Sequence, residues 1–241
     1  MTLFQERLLK VAEQNSATSG ILGNEHLEAL ERLKLHMVET NKTLNLTAIT
    51  DDEGIILKHL VDSVAIYPYL KDVKTVVDIG CGGGFPSLVI GILAPHLSVF
   101  SVDSVTKKVN YVKETGKMLG LNLDISNRRA EELGQDKEYR EKFDLACARA
   151  VGRLNLICEL CMPLVKVGGS FIAMKSIDTD NEIKEAEKAI ELLGGKIDEV
   201  KKYKLTNGLE ELERSIIVIK KVKPTPIKYP RNNSQISKKP L

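Results

Sequence analysis

The chain has 241 residues, 43% hydrophobic and 28% charged, enough to bury a core for one α/β domain plus an accessory segment. Its 35 Lys and Arg against 33 Asp and Glu leave a net charge of only +2, which excludes a global basic field for capturing nucleic acid and leaves only local patches. No apolar run approaches the roughly 18 residues of a membrane span, and the start, MTLFQERLLKVAEQ, carries acids and lacks a signal-peptide core, so a cytoplasmic protein is expected.

Residues 1–70 read as helical. Leu27, Leu30, Leu33, Met37 and Val38 recur at helical spacing after a candidate N-cap at Asn24, and a second helical stretch, EGIILKHLVDSVAIYPYL, ends near Pro68. From residue 73 the pattern changes. VKTVVDIG is β-branched, apolar and ends in glycines, as a buried parallel strand does. LSVFSVD, NLDISN, FDLACARA, GSFIAMK, GKIDEVKKY and SIIVIKK follow as six further strands. PSLVIGILA, TKKVNYVKETGKML, RLNLICELCMPLV and NEIKEAEKAIELLG read as the helices between them. This alternation predicts βαβ units: an α/β, seven-stranded, mostly parallel sheet with helices on both faces. LTNGLEELER shows no convincing helix, so the last two strands can pair antiparallel. The tail from about Val222 is rich in Pro, Asn, Ser and Lys and is expected to be irregular. The predicted division is a helical segment at 1–70, an α/β domain at 71–221 and a basic tail at 222–241.

The first strand runs into Gly80-Cys81-Gly82-Gly83-Gly84-Phe85-Pro86. Gly80, Gly82 and Gly84 form GxGxG, which permits positive φ and lets a ligand approach the backbone without meeting a Cβ. Pro86 suits the first turn of the next helix, whose amino end could favour a carboxylate. The second strand ends at Asp103, placed to accept hydrogen bonds from both ribose hydroxyls of a nucleoside. A dinucleotide site would want a third glycine or alanine, but that place is Phe85 or Ser87, depending on which glycine starts the count. S-adenosylmethionine has no pyrophosphate and does not need that feature, so it is preferred. A dinucleotide, or a tight turn with no ligand, stays open at this point.

Cys158 and Cys161 make a lone CxxC in an apolar helix, without the partners a zinc site needs, and Cys147 lies inside an apolar strand. All three read as core, and no metal is expected.

The ordered segments NLTAI at 45–49, KHLVDS at 58–63, VVDIGCGGGFPS at 76–87, VDS at 102–104, RAEEL at 129–133, ARAV at 148–151, AMK at 173–175 and KPTPIKYPR at 223–231 carry a family resemblance. The chain resembles the bacterial 16S ribosomal RNA guanine-N7 methyltransferases (RsmG, also called glucose-inhibited division protein B) from about Asn41 to Pro230. It departs from them at Lys58, where Arg is frequent, at Thr40, where an aromatic residue is common, and at Asn232–Ile236, which replaces a Pro-Gly-Thr-Pro stretch. The resemblance implies a class I (Rossmann-like) methyltransferase fold with a helical N-terminal segment. It implies S-adenosylmethionine as cofactor and methylation of guanine N7 in the decoding-region loop of the small subunit, on 16S rRNA or a precursor particle. It also implies cofactor contacts at Gly80, Phe85, Asp103, Ser104, Val105, Ala130, Glu131 and Arg149, with Arg129, Arg149 and Lys175 facing the substrate. A monomer is expected.

Guanine N7 carries a lone pair and no proton, so its methylation needs no general base, only in-line placement and exclusion of water. Enzymes acting on exocyclic amines typically carry Asn/Asp-Pro-Pro-aromatic after the fourth strand, where this chain has Cys147-Ala148-Arg149-Ala150. Arg149 and Lys175 end strands at the carboxyl edge, where open α/β sheets bind ligands. Arg149 reads as a phosphate, guanine O6 or cofactor-carboxylate contact, or as a surface salt bridge. Arg128, Arg129 and Glu131 form a charged loop that can meet the adenine. His59 and Asp62 share a helical face and either line the site or brace the accessory segment. Lys220–Leu241 contains seven bases and no acid, and reads as a phosphate-binding tail or a solvated one. Two rivals to the rRNA reading remain: a methyltransferase of a protein or small molecule, and a non-catalytic binding protein on the same fold.

Overall fold

The computed structural model describes residues 1–176 and 179–241. Helix α1 (Leu3–Glu13) starts at a capping box, with Thr2 Oγ1 accepting from Gln5 N and Gln5 Oε1 accepting from Thr2 N. Helix α2 (Asn24–Leu44) begins one residue earlier than predicted, with Gly23 at the N-cap. The second helical stretch is one rod in three parts: α3 (Asp52–Gly54), a π-helical turn (Ile55–Val61) and α4 (Asp62–Val64). Ile55, Ile56, Leu57, Leu60 and Val61 are all buried, an apolar coverage too wide for a surface helix. Around Pro68 the chain tightens into a 3-10 turn (Tyr67–Leu70).

The α/β part follows as β1 (Thr75–Ile79), α5 (Ser87–Leu93), β2 (Ser98–Val102), α6 (Thr106–Met118), β3 (Leu123–Ser126), α7 (Ala130–Gln135), β4 (Phe143–Arg149), α8 (Leu154–Cys161), β5 (Val165–Lys175), α9 (Thr179–Leu192), β6 (Gly195–Thr206), β7 (Glu211–Lys221) and α10 (Asn233–Lys238). The seven strands form one sheet in the order β3-β2-β1-β4-β5-β7-β6. All neighbours are parallel except β7, which runs antiparallel to β5 and β6. The expected loop between the last two strands shrinks to Asn207–Glu210, because its flanks extend the two strands. Strand order reverses between β1 and β4, and such a switch point opens a crevice at the carboxyl ends.

Each sheet face carries its own core. One combines Leu8, Leu30, Leu33, Ile56 and Leu60 of the N-terminal helices with Leu88, Val89 and Val112 of α5 and α6. The other packs Leu133, Leu154, Ile157, Ala186 and Ile190 against Val77, Ala146, Phe171 and Ile219. Cys147, Cys158 and Cys161 have no exposed surface, as read from sequence.

The tail is irregular from Val222 to Asn232, as expected, and then forms α10, but it is packed against the core. Arg231 grips the fully buried Glu159 through Nε (2.8 Å) and Nη2 (2.6 Å), and its backbone N–H donates to the same carboxylate at 2.8 Å. Buried Lys221 donates to Met162 O and Thr225 Oγ1, both at 2.6 Å, and pairs with Glu141 at 3.1 Å. Tyr229 and Ile236 are buried, and Asn232 caps α10. Lys221 at the end of β7 and Arg231 in the tail therefore answer acids elsewhere in the fold, which composition does not reveal.

Candidate active site

The glycine turn leaves β1 with two amides tied to β2: Gly80 N and Cys81 N both donate to Val102 O, at 2.8 and 3.1 Å. Gly82 and Gly84 both have positive φ, 56° and 85°, but for different ends. A Cβ on Gly84 would lie 2.3 Å from Leu88 Cδ1, so this glycine serves close packing. A Cβ on Gly82 would meet nothing nearer than Gly80 O at 3.9 Å, so this glycine borders open space. The Asp103 carboxylate accepts from Gly82 N at 3.0 Å and from Val105 N at 2.8 Å. The acid at the end of β2 thus holds the turn after β1. Asn127, just beyond β3, braces it by donating to Asp103 O at 3.1 Å.

The amino end of α5 corrects an expectation. Asp78, wholly buried on β1, accepts from Ser87 N at 3.2 Å. Burial pushes its pKa up to about 6, against the lowering effect of the Ser87 hydrogen bond. The chain's own carboxylate fills the place proposed for a ligand's.

A cleft of about 520 Å³ opens at the carboxyl edge of β1, β4 and β5, within the range of about 300–1,000 Å³ typical of small-molecule sites. His59 stacks on Phe85, with centroids 4.8 Å apart and planes at 11°, and its Nε2 lies 2.9 Å from Thr47 Oγ1. Burial, aided by the Arg149 charge, pushes its pKa down to about 4, so the ring is neutral at pH 7. Arg149 Nη1 donates to Lys58 O (2.9 Å) and Asp62 Oδ2 (3.0 Å), and its guanidinium lies 5.6 Å from the Phe85 ring centre. Arg214 Nε donates to the other oxygen of Asp62 at 2.9 Å. Lys58 pairs with Glu210 at 2.9 Å. Lys175 pairs with Glu182 at 2.7 Å and donates to Gly152 O at the same distance.

Gly80, Gly82, Phe85, Asp103, Arg149 and Lys175 therefore line one cleft. Gly84 packs on Leu88 instead. Ser104 and Val105 are exposed directly after Asp103. Arg129 is exposed at the N-cap of α7, and Ala130 and Glu131 begin that helix, beyond β3 and outside the cleft lining. His59 and Asp62, which the sequence left undecided, both line the cleft. Sequence reasoning missed Arg214, Glu182 and Thr47. Arg214 lies in a stretch (LTNGLEELER) that reads as a loop, and only the pairing of β7 with β5 brings it to the site.

The residues present fit S-adenosylmethionine. Asp103 spends two hydrogen bonds on backbone amides, and an ionised carboxylate has about four lone-pair sites, which leaves acceptors for ribose hydroxyls. Gly82 leaves room above the turn, and Phe85 supplies an apolar wall.

The family model for rRNA small subunit methyltransferase G matches residues 26–215. The chain is 43% identical over 239 residues to the ribosomal RNA small subunit methyltransferase G of Acetivibrio thermocellus, covering 98% of this chain and 97% of that one. It is 47% identical over 208 residues to the protein of the same name from Listeria monocytogenes, covering 85% and 87%. Among solved structures, a geranyl diphosphate methyltransferase in complex with SAM matches with a TM-score of 0.52 at 14% identity, over 66% of this chain and 84% of that one. A protein from echinomycin biosynthesis, where a disulfide bond becomes a thioacetal group, matches with a TM-score of 0.54 at 14% identity, over 73% and 84%. These structural likenesses show the fold alone, the class I (Rossmann-like) methyltransferase fold.

Proposed function

The chain belongs to the rRNA small subunit methyltransferase G family, and from that membership we propose that this S-adenosylmethionine-dependent rRNA methyltransferase modifies N7 of a guanine in the decoding-region loop of 16S rRNA. One observation carries the choice of N7: the three carboxylates that line the cleft, Asp62, Asp103 and Glu182, are already engaged by cations or backbone amides. Asp62 serves two guanidinium groups, Glu182 serves Lys175 and Leu154 N, and Asp103 serves two backbone amides. His59 is neutral with its Nε2 on Thr47, and its Nδ1 is buried away from solvent. A nucleophile with its own lone pair suits such a site, whereas an exocyclic amine must shed a proton.

When bound, S-adenosylmethionine supplies an electrophilic methyl on a sulfonium sulfur. Asp103 accepts hydrogen bonds from the ribose, with Ser104 and Val105 beside it, and Gly80 and Gly82 admit the ligand close to the backbone. Ala130 and Glu131 stand on the adenine side, as the family resemblance implies. Phe85, packed against His59, walls the cleft and excludes water. Arg149 cannot sit on N7 while N7 reacts, so it holds guanine O6, a phosphate or the cofactor's carboxylate. Lys175 and Arg129 face the RNA. We assign residues 1–70 as an accessory segment, 71–221 as the methyltransferase domain and 222–241 as a tail.

No helix among the described residues is long and apolar enough to cross a membrane. The proposed place of work is the cytoplasm, on 16S rRNA or a small-subunit precursor particle, as a monomer. Mass-spectrometric mapping of methylated nucleotides in rRNA, with and without this protein, tests the reading. One 7-methylguanine in the decoding-region loop that depends on the protein is expected. A dependent methyl group on another base or atom overturns the assignment.

A further inference from the structure

Asp62 is the only carboxylate bound to either Arg149 or Arg214 among the described residues. The three side chains are 8%, 14% and 18% exposed, in that order. Two positive charges and one negative leave a unit of positive charge in a mostly dry setting, which costs free energy until an anion completes it. Neither guanidinium spends its Nη2 on a described residue. Of the other cations that line the cleft, Lys58 and Lys175 have their own acids, while Lys108 stands on α6 beyond Asp103.

Although both hold Asp62 and both line the cleft, the two arginines need not take the same further anion. Arg149 ends β4, next to the glycine turn, and lies against Phe85, within the cofactor's reach. Arg214 belongs to β7, three strands from β1 in the sheet. At about 4.8 Å per strand that is about 14 Å from the turn, on the side away from β2 and Asp103. Arg214 also lines a second cleft, of about 630 Å³, between α9 and the β6–β7 pair. The bases there are Lys184, Lys202, Lys204 and Arg214, against the acids Asp180 and Glu213. Lys202 pairs with Asp180 and Lys204 with Glu211, but all four groups are at least half exposed. Exposed pairs of this kind are screened and weak, so they yield readily to a phosphate.

We propose that Arg214, held by Asp62, binds a backbone phosphate beside the target nucleotide, and that the second cleft carries the flanking RNA strand across Lys184, Lys202 and Lys204. The inference rests on the rRNA-methyltransferase reading and adds a path for the substrate. The uncompensated arginine marks the joint between the reaction cleft and this path.

The test compares wild type with Arg214→Gln, Lys184→Gln and Lys196→Gln. Lys196 is exposed on β6 six residues before Lys202, about 20 Å away at ~3.3 Å per residue. Binding of unmethylated small-subunit rRNA is measured against salt, alongside cofactor affinity and methyl transfer. Each lost phosphate contact is expected to flatten the slope of log affinity against log salt by about 0.7–0.9. The advantage of wild type over Arg214→Gln or Lys184→Gln then shrinks about threefold between 50 and 200 mM salt. Cofactor affinity is expected to hold in Lys184→Gln, whose side chain lies outside the cofactor cleft. Lys184 is exposed, so its replacement stays folded whatever Arg214 does for stability. Unchanged slopes in both variants, or an equal change from Lys196→Gln, overturn the proposed path while leaving wild-type methylation intact. A wild type that methylates no rRNA overturns the rRNA reading itself, and the path with it.

Discussion

Replacing Arg231 with alanine tests whether the C-terminal segment is part of the fold or a free arm for RNA. Its guanidinium makes a two-point contact with Glu159, whose side chain has no exposed surface. The substitution leaves the backbone N–H on Glu159 Oε1 but strips away the counter-charge. Breaking a buried ion pair by removing one partner costs about 3–5 kcal/mol. A chain of this size loses about 2–4 °C of melting temperature per kcal/mol. Together these predict a fall of about 6–20 °C, read by calorimetry or by circular dichroism. The double variant Arg231→Leu/Glu159→Leu removes both charges, and an apolar pair in such a site is often neutral, so it should recover most of the loss. Deleting Tyr229–Leu241 is more severe, because it also strips the buried contacts of Tyr229 and Ile236. Each is worth about 1.5–3 kcal/mol, and the sum approaches a typical total stability of about 5–15 kcal/mol. The truncated protein is therefore expected to lose its cooperative melt. A melting temperature of Arg231→Ala within about 2 °C of wild type, together with a shallower salt dependence of RNA binding, would refute this reasoning and return the tail to the role of an RNA arm.

Asp103→Ala removes a charged acceptor, and hydrogen bonds to charged groups are worth about 1.5–3 kcal/mol each. Cofactor affinity in calorimetric titration should fall about tenfold to a hundredfold, and unchanged affinity would remove Asp103 from the ribose. Gly82→Ala and Gly84→Ala should separate binding from stability. The first costs about 1–2 kcal/mol of stability for its positive φ but puts a methyl beside the cleft, so cofactor binding suffers more than melting; the second drives its methyl into Leu88 and should lower the melting temperature first. If Gly82→Ala binds cofactor as wild type does, the ligand does not approach the turn there. His59 protonates near pH 4 when folded and near its ordinary 6.5 when unfolded. Its contribution is complete above pH 6.5 and is lost as pH falls toward 4, by up to about 3 kcal/mol, because only the unfolded chain takes the proton in that window. His59→Phe should flatten urea-melt stability between pH 6.5 and 4 relative to wild type. The comparison cancels Asp78, whose raised pKa acts with opposite sign in an overlapping range. Identical pH dependence in the two proteins would show that His59 protonates as freely folded as unfolded.

The sequence by itself determined the sheet, the glycine turn and the acid that faces it. These are local signals: β-branched runs, glycines where φ must be positive, and an acid at the end of the next strand. Parallel pairing of β1 with β2 then brings Asp103 to Gly82 without further information. The burial of Cys158 and Cys161 was legible as well, because the apolar helix around them already implied core. Tertiary structure alone decided the electrostatics. Arg149 and Arg214 are 65 residues apart in sequence yet share Asp62, and nothing in the charged stretch that opens β7 singles Arg214 out. The same holds for the basic run at Lys220–Leu241, which reads from sequence as phosphate-binding or solvated, whereas in the fold Lys221 and Arg231 meet Glu141 and Glu159. The amino end of α5 looked open for a ligand's carboxylate until Asp78 was found there. Helix and strand periodicity depends on residues a few positions apart, so a sequence displays it. A charge acquires its partner only when distant strands and helices pack together, and which acid neutralises which base depends on the whole fold.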